Sequence, residues 1–362
     1  MGSTLARRVM CGQLVIGGFQ GKELPPTFAR ASAAGERGGA ILFARNLTGD
    51  PLQAAELNAQ LLAAAPADLP PLLAVDQEGG RVARFREPLL VLPPMRTLGD
   101  RGDVELCTEA ARAQGEELAA LGFTMNFAPV LDVNSCRENP IIGDRAFGED
   151  AATVARFGVA WAEGLARGGV LACGKHFPGH GDTTKDSHLD LPVVRADRAR
   201  LDAVELPPFR AAAAAGIAAM MTAHVVYEGI DPALPATLSR AVCTTLAREV
   251  VGFRGWLVSD DLEMKAIADR YGIDDAAVRA IDAGCDAVLV CSSEEMQAKV
   301  VEALVHRAES DRAFEARCEE AFARGIAMRR RVPPRPVKDR AAFARASERA
   351  SRVASRIAAG AR

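Results

Sequence analysis

The amino-acid sequence predicts an α/β fold: a single (β/α)8 barrel of the TIM type with a C-terminal helical extension. The chain has 362 residues, of which 49% are hydrophobic, enough for such a barrel, which typically takes about 250 residues. Eight short apolar runs alternate with segments of helical pattern, which is typical of a parallel sheet. Five of these runs are followed directly by ionisable residues, and the carboxyl ends of barrel strands all open on one face.

The eight predicted strands are short, apolar and poor in charge. They lie within residues 13–19, 38–44, 71–75, 123–131, 169–174, 217–223, 255–259 and 286–291. The predicted helices are rich in alanine and leucine with a charged face, and they cover 51–65, 104–121, 151–167, 199–215, 239–251, 274–284, 293–307 and 312–330. A doubly wound open sheet is the alternative, but Gly17 and Gly18 after the first strand lack the G-x-G-x-x-G spacing of a nucleotide-binding turn.

The end of the chain differs in charge from the rest. Residues 329–362 carry eleven Arg and Lys against two acidic residues, a net charge of +9, so the total of −3 leaves −12 for residues 1–328. A nucleic-acid or membrane role is conceivable for such a segment, but its apolar residues recur at helical spacing. These are Phe343, Ala346, Ala350, Val353 and Ile357. We therefore predict a catalytic barrel over 1–330 and a basic extension over 331–362, helical and packed on the barrel.

Neither a membrane span nor a secretion signal is predicted. No run approaches the ~18 apolar residues that cross a bilayer. Arg7 and Arg8 are followed only by the short apolar stretch 13–19, without a signal core. We therefore expect a cytoplasmic protein. The eight cysteines lie mostly in apolar runs without a C-x-x-C pair, so we expect reduced core thiols in place of disulfides or a zinc cluster.

Ionisable residues stand where five of the predicted strands end. In chain order they are Asp76, Asp132, Lys175 with His176, His224, and Asp260 with Asp261. Because barrel strands end on one face, these side chains should converge on one pocket. Segment 175–188 is the richest, with three of the five histidines, two lysines and two aspartates. The sequence therefore predicts acid–base or covalent chemistry on a polar substrate, and a sugar fits well.

One pair in this segment has the spacing of a proton-transfer unit. Asp186 and His188 are separated by one residue, so on an extended loop both side chains can point the same way. The carboxylate could then fix the tautomer of the imidazole, as an aspartate does in a catalytic triad. For an isolated pair, the alternative is an Asx-type turn with a solvent-exposed histidine.

Four blocks of sequence, in this order, resemble glycoside hydrolase family 3, and in particular its bacterial β-N-acetylhexosaminidases. The blocks are Asp-Gln-Glu-Gly-Gly-Arg-Val (76–82), Ile-Gly-Asp-Arg-Ala-Phe (142–147), Lys-His-Phe-Pro-Gly-His-Gly (175–181) with Asp-Ser-His (186–188), and Ser-Asp-Asp-Leu-Glu-Met (259–264). The resemblance covers about residues 9–330. Four blocks in order are specific, whereas Asp-Asp or Gly-Gly-Arg alone would indicate nothing.

The resemblance implies a role for each matching residue. Asp260 would be the nucleophile that forms a glycosyl-enzyme intermediate, with Asp261 in support, although the sequence alone does not choose between these two. His188, oriented by Asp186, would be the general acid and then the general base. The predicted substrate-binding residues are Asp76, Arg84, Arg145, Lys175 and His176, for which a structural salt-bridge network is the alternative. Residues expected to shape the loops behind them are Asp132, Asn134, His180 and His224.

The implied activity is that of a retaining exo-β-N-acetylglucosaminidase acting on muropeptide fragments during peptidoglycan recycling. Its partner would be a small carbohydrate, with no nucleic acid and no membrane, and the oligomeric state is left open with a monomer favoured. The alternatives are a phosphorylase that uses phosphate in place of water, a β-glucosidase, and a sugar-binding barrel without catalysis. A metal enzyme is a further alternative, with candidate ligands His176, His180, His188, His224 and Asp76. Neither a metal nor a cofactor is expected, because H-x-H and H-E-x-x-H motifs are missing.

Overall fold

The computed structural model describes residues 4–183, 191–335 and 340–359. In these residues eight parallel strands close into a barrel, each paired with its neighbours in chain order, with the first strand paired to the last. The strands are β1 Val15–Gly17, β2 Gly39–Leu42, β3 Leu72–Val75, β4 Met125–Asn126, β5 Leu171–Phe177, β6 Ala219–Thr222, β7 Trp256–Asp261 and β8 Ala287–Val290. The predicted (β/α)8 barrel is confirmed.

Helices surround the barrel and join its strands. In chain order α1 to α13 are Thr4–Gly12, Pro26–Ala33, Pro51–Ala64, Met95–Arg101, Val104–Ala120, Ala151–Arg167, Arg198–Ala203, Leu206–Ala214, Lys265–Ala268, Ile273–Ala283, Glu294–Ser310, Arg312–Arg331 and Arg340–Ala359. The helix between β6 and β7, Ala241–Val250, is π-helical. In the described chain, six helices begin at a residue whose side chain accepts a hydrogen bond from a first-turn amide, which fixes their starts. These residues are Asp50, Asp103, Asp150, Asp197, Ser293 and Asp311.

Strand residues alternate between the barrel interior and the layer under the helices. On β3, Leu72 and Ala74 pack with residues from all the other strands inside the barrel. Leu73 and Val75 instead pack with Leu57 and other residues of α3. Both sides of the strand are therefore apolar, which is why these strands appear in the sequence as continuous apolar runs without alternation.

The fourth strand is shorter than the apolar run 123–131 that predicted it. Regular pairing stops after Asn126, and Pro129 has no N–H to donate to a neighbour. The chain nevertheless continues beside β5, because the amide of Lys175 donates to the carbonyl of Pro129 at 3.0 Å and the amide of Leu131 donates to the carbonyl of Lys175 at 2.6 Å. This irregular segment places Asp132 next to the end of β5.

The basic C-terminal helix α13 lies against α5. Ala346, Ala350 and Val353 on its inner face are buried, and Arg349 forms an ion pair of 2.7 Å with Glu116 on α5. The division of the chain near residue 330 stays a prediction. No helix in the described ranges is both long and apolar enough to cross a membrane. A small sheet of Val193–Val194, Val226–Tyr227 and Asp231–Pro235 flanks the carboxyl end of β6.

Candidate active site

Polar side chains meet at the carboxyl ends of the barrel strands, which we call the mouth. Six predicted site residues lie there, namely Asp76, Arg84, Arg145, Lys175, His176 and Asp260. The other two, Asp186 and His188, lie outside the described residues. Strand ends and the loops after them thus bring together residues that are up to 184 positions apart, from 76 to 260.

Lys175 is the central cation of the mouth. It lies within β5 and is only 3% exposed, with its ammonium group 2.8 Å from Oδ1 of Asp76 and 2.6 Å from Oε1 of Glu78. Burial opposes the charge, but these two carboxylates raise the pKa of Lys175 above its usual value. On the other side of Asp76, Nη2 of Arg84 donates to Oδ2 at 3.2 Å. Asp76 is therefore held between two cations.

Glu78 is a site residue that the sequence analysis did not single out. Arg145 donates to it through two nitrogens, Nε to Oε2 at 2.9 Å and Nη2 to Oε1 at 2.8 Å. Burial opposes ionisation, but Arg145 and Lys175 hold the pKa of Glu78 well below its usual range. The sequence feature that could have identified Glu78 is its place in the block 76–82, two residues after Asp76. Glu78 fixes Arg145 and Lys175 in place, and a buried pair of this kind is costly to break.

His176 is oriented by Asp132. Its Nδ1–H donates to Oδ2 of Asp132 at 2.7 Å, and its backbone amide donates to the same carboxylate. Burial would raise the pKa of Asp132, but His176 and the hydrogen bonds lower it below its usual value. With the proton on Nδ1, the other nitrogen Nε2 faces Nη2 of Arg145 at 3.5 Å. Asp132 thus has the supporting role predicted from the sequence.

A tight turn, Pro178–Thr183, leads away from β5. A Cβ at Gly181 would lie 1.6 Å from the carbonyl oxygen of Val133, so only glycine fits there. The side chain of Asn139 donates to the carbonyl of His180 at 2.8 Å. Burial, followed by the charge of His176, lowers the pKa of His180 to about 4. His180 is therefore neutral at neutral pH and belongs to the structure of the turn.

Two adjacent aspartates at the end of β7 have different environments. Burial would raise the pKa of Asp260, but His224, His176 and the Asp261 amide, which donates to Oδ1 at 2.8 Å, lower it below its usual value. Burial raises the pKa of Asp261 to about 7, and its Oδ1 accepts from the amides of Glu263 and Cys291. The structure therefore distinguishes the two carboxyl groups that the sequence left open.

His224 supports the end of β7 from the neighbouring strand. Its Nε2–H donates to the carbonyl of Asp261 at 2.9 Å, and its Nδ1 lies 2.8 Å from the hydroxyl of Thr237. The ring is buried and both described contacts keep it in one orientation. The described ranges contain no group of three or more His, Cys, Asp or Glu residues placed to hold a metal ion.

The sequence matches the family described as the glycosyl hydrolase family 3 N-terminal domain over residues 28–327. The chain belongs to this family. It is similar to a β-hexosaminidase from Thiobacillus denitrificans, with 44% identity over 270 residues, which covers 73% of this chain and 74% of that protein.

Solved structures give the same result. A family 3 β-N-acetylglucosaminidase from a Paenibacillus species is 41% identical, with a TM-score of 0.88, over 96% of this chain and 68% of that chain. NagZ from Neisseria gonorrhoeae, solved in complex with N-trifluoroacetyl-D-glucosamine, is 32% identical, with a TM-score of 0.72, over 86% of this chain and 98% of that chain. The predicted family is confirmed, and the protein is a glycoside hydrolase.

Proposed function

We propose that the protein is a retaining exo-β-N-acetylglucosaminidase that removes terminal β-linked N-acetylglucosamine from muropeptide fragments of peptidoglycan. The observation that carries the proposal is the contrast between the two carboxyl groups at the end of β7. Asp260 has a lowered pKa beside the charged residues of the mouth, whereas Asp261 is engaged by backbone amides. A retaining glycosidase needs one ionised carboxylate that can attack the anomeric carbon.

The proposed reaction has two steps. In the first, a carboxylate oxygen of Asp260 bonds to the anomeric carbon as the glycosidic bond breaks, and the leaving oxygen takes a proton from His188. In the second, neutral His188 removes a proton from water, and the water oxygen displaces the Asp260 ester from the anomeric carbon. The roles of His188 and of Asp186, its orienting partner, stay predictions that rest on the family resemblance.

The charged residues of the mouth supply donors and acceptors for the terminal sugar. An ammonium group carries three hydrogens, and the contacts of Lys175 with Asp76 and Glu78 account for two of them. No other described residue takes the third, which can therefore be donated to a sugar hydroxyl. Asp76 can accept from hydroxyl groups through its remaining lone pairs, and the guanidinium group of Arg145 presents donors nearby. Nε2 of His176 is an acceptor when the ring proton is on Nδ1. Because each group is held by a charged neighbour, the pocket is organised before a sugar enters.

Two points of the proposal rest on relatives. The Neisseria gonorrhoeae NagZ structure holds an N-acylated glucosamine, which supports an N-acetylated sugar in this pocket. The muropeptide substrate follows from the resemblance to the bacterial β-N-acetylhexosaminidases, and the cytoplasmic location stays a prediction. Incubation with N-acetylglucosaminyl-anhydro-N-acetylmuramyl peptides should release free N-acetylglucosamine, and cleavage of aryl substrates alone would contradict the muropeptide assignment.

The activity is tested by incubation with an aryl N-acetyl-β-glucosaminide and the matching aryl β-glucoside, each with and without phosphate. We expect release of the aryl group from the first substrate only, at a rate independent of phosphate. The first sugar product seen by NMR should be the β anomer, because two displacements retain configuration.

Each other result identifies an alternative. Sugar 1-phosphate as the product would indicate a phosphorylase, and preferential cleavage of the glucoside would indicate a β-glucosidase. A first product of α configuration would contradict the covalent intermediate. Trapping with a fluorosugar followed by peptide mass spectrometry should place the label on Asp260, and a label on Asp261 would reverse the assignment of the two aspartates.

A further inference from the structure

A buried acid lies behind the turn that follows β5. Glu205 directly precedes α8, is 0% exposed, and its Oε2 has no hydrogen-bond partner among the described residues. Its Oε1 lies 3.4 Å from Nη2 of Arg200 on α7. A buried carboxyl oxygen without a donor is unfavourable, more so when the group is ionised. Glu205 takes no part in the two steps proposed above.

Glu205 packs directly against the backbone of the turn Pro178–Thr183. Gly179 has a φ of +134°, and a Cβ at this position would lie 2.8 Å from Cβ of Glu205. The hydroxyl of Tyr227 donates to the carbonyl of Gly179 at 2.7 Å, and the amide of Gly179 donates to the carbonyl of His176 at 2.8 Å. Glu205 therefore touches the point at which the chain leaves the sugar-binding strand.

Within the part of the chain that the structure describes, the charged and titratable groups around Glu205 come from three elements. They are Arg200 on α7, Asp182 in the turn and Tyr227 on the strand Val226–Tyr227. Burial, with a smaller contribution from Asp182, raises the pKa of Glu205 to about 7, whereas Arg200 acts in the opposite direction. Arg200 also lies 3.9 Å from Asp182, so it divides its charge between two carboxyl groups.

We propose that Glu205 is a positioning residue for the turn Pro178–Thr183, and that ionisation of its carboxyl group loosens this turn. The neutral acid is buried with its Cβ and Cγ against Gly179. The carboxylate needs donors for both oxygens, and among the described side chains Arg200 is the cation that contacts it, at 3.4 Å from Oε1. Ionisation therefore draws either Arg200 or water into the space that supports Gly179.

The loosened turn would affect catalysis because the chain continues from it toward Asp186 and His188. This consequence rests on the proposed function, whereas the effect on the turn does not. The expected signature is a fall in activity on the alkaline side that depends on Glu205. A purely structural role for Glu205 would lower stability without moving a pH profile.

The test is amide hydrogen exchange of a peptide covering residues 177–183, corrected for the intrinsic pH dependence of exchange, at pH 6 and pH 8. At pH 8, the ionised form of a group with a pKa near 7 is about ten times as populated as the neutral form. We expect protection of this peptide to fall several-fold from pH 6 to pH 8 in the wild type, and to stay constant in Glu205→Gln. A peptide from β3 serves as the internal control.

A second variant keeps the test decisive if Glu205→Gln folds poorly. Arg200→Gln changes a partly exposed side chain and removes the cation that favours the carboxylate, so the loss of protection should move to higher pH. The same pH response in Glu205→Gln as in the wild type, or a shift to lower pH in Arg200→Gln, would overturn the proposal.

Activity on an aryl N-acetyl-β-glucosaminide separates this inference from the proposed function. The alkaline limb of kcat should move to higher pH in Glu205→Gln with little change at pH 6. If no variant hydrolyses the substrate, the proposed function fails, and the exchange data still decide the role of Glu205. If hydrolysis occurs but the alkaline limb is the same in both proteins, Glu205 does not position the turn for catalysis.

Discussion

The two ends of the barrel both hold carboxylates among cations, but the hydrogen bonding differs. At the amino ends of the strands, which we call the floor, Asp286 is completely buried. Its oxygens accept from Arg248 at 2.8 Å, Arg317 at 2.6 Å and Arg324 at 2.5 Å, and from the amide of Leu257 at 2.9 Å. These contacts join the π-helix and α12 to the barrel and leave no lone pair of Asp286 without a donor.

At the mouth, the charged groups keep unused hydrogen-bonding capacity. Asp260 accepts one hydrogen bond from the described residues, the Asp261 amide on Oδ1, and Lys175 retains one hydrogen. The difference shows how a structural ion cluster and a binding site can be distinguished without a ligand. A cluster in which every donor and acceptor is used stabilises the fold, whereas unused capacity beside a lowered pKa is available for a substrate.

The largest expected effect is on the mouth. Asp260→Ala should lower kcat on an aryl N-acetyl-β-glucosaminide by about 10⁴-fold or more, because the covalent step loses its nucleophile. Steady-state kinetics measure the loss, and thermal unfolding should show a folded protein. Asp261→Asn is the matched control and should retain far more activity. Comparable losses in the two variants would mean that Asp261 also takes part in the chemistry.

On the floor, the expected loss is in stability. Asp286→Ala removes the carboxylate that three guanidinium groups share, and among the described residues only Arg317 and Arg324 keep a second one, Glu320. Removal of one partner from a buried ion cluster costs about 3–5 kcal/mol. Denaturant unfolding measures this, and KM should not change. Asp202→Ala is the matched control, since Asp202 pairs with Arg198 and Arg210 at a side chain 36% exposed. Its loss should cost less than about 1 kcal/mol, and equal losses would contradict the comparison.

The pH dependence of stability gives a sharper test at Asp261. Burial raises the pKa of this carboxyl group to about 7 in the folded protein, above its value of about 3.9 in an unfolded chain. The folded state therefore binds the proton more tightly, and its stability should decrease as the pH rises from about 4 through 7. Asp261→Asn should remove on the order of 2 kcal/mol of this decrease. A wild-type stability that rises over this range, with no difference in Asp261→Asn, would show that Asp261 is not the group responsible.

The smallest effect on stability is expected for an ion pair that is well formed but partly exposed to solvent. Arg349 and Glu116 join α13 to α5 with side chains 44% and 21% exposed. Arg349→Met should change the free energy of unfolding by less than about 1 kcal/mol, and less still in high salt. A loss as large as that of Asp286→Ala would mean that full use of the hydrogen-bonding groups, and not burial, determines how much such ion pairs stabilise this protein.

Much of the architecture could be predicted because barrel strands buried on both sides are continuous apolar runs, and the helices between them are rich in alanine and leucine with a charged face. One exception was the run 123–131, where regular pairing stops after Asn126 while the chain keeps its direction. Another was the predicted helix 199–215, which is divided into α7 and α8. Strand-end residues such as Asp76 and Asp260 could also be predicted, because their position follows from topology.

Other features could not be predicted from one sequence. The block 76–82 contains Glu78, but its role becomes clear when Arg145, 67 positions away, is seen to donate to it with two nitrogens. Asp260 and Asp261 are chemically identical and differ only in which amides and histidines surround them. Glu205 lies in an ordinary helical segment, and its burial behind Gly179 depends on the packing of α7 and α8. Each of these depends on contacts between parts of the chain that local pattern does not specify.

The contacts of Asp132 limit which substitutions can change this enzyme without disturbing its site. The same carboxylate accepts from the ring and amide of His176 and from the amide of His180 at 2.7 Å, so a single group anchors both the sugar pocket and the start of the turn. A substitution that moves Asp132 to alter the sugar pocket will therefore also disturb the turn. If Arg84 binds sugar as proposed, it is a more accessible position for altered sugar preference, because its one described side-chain hydrogen bond is to Asp76.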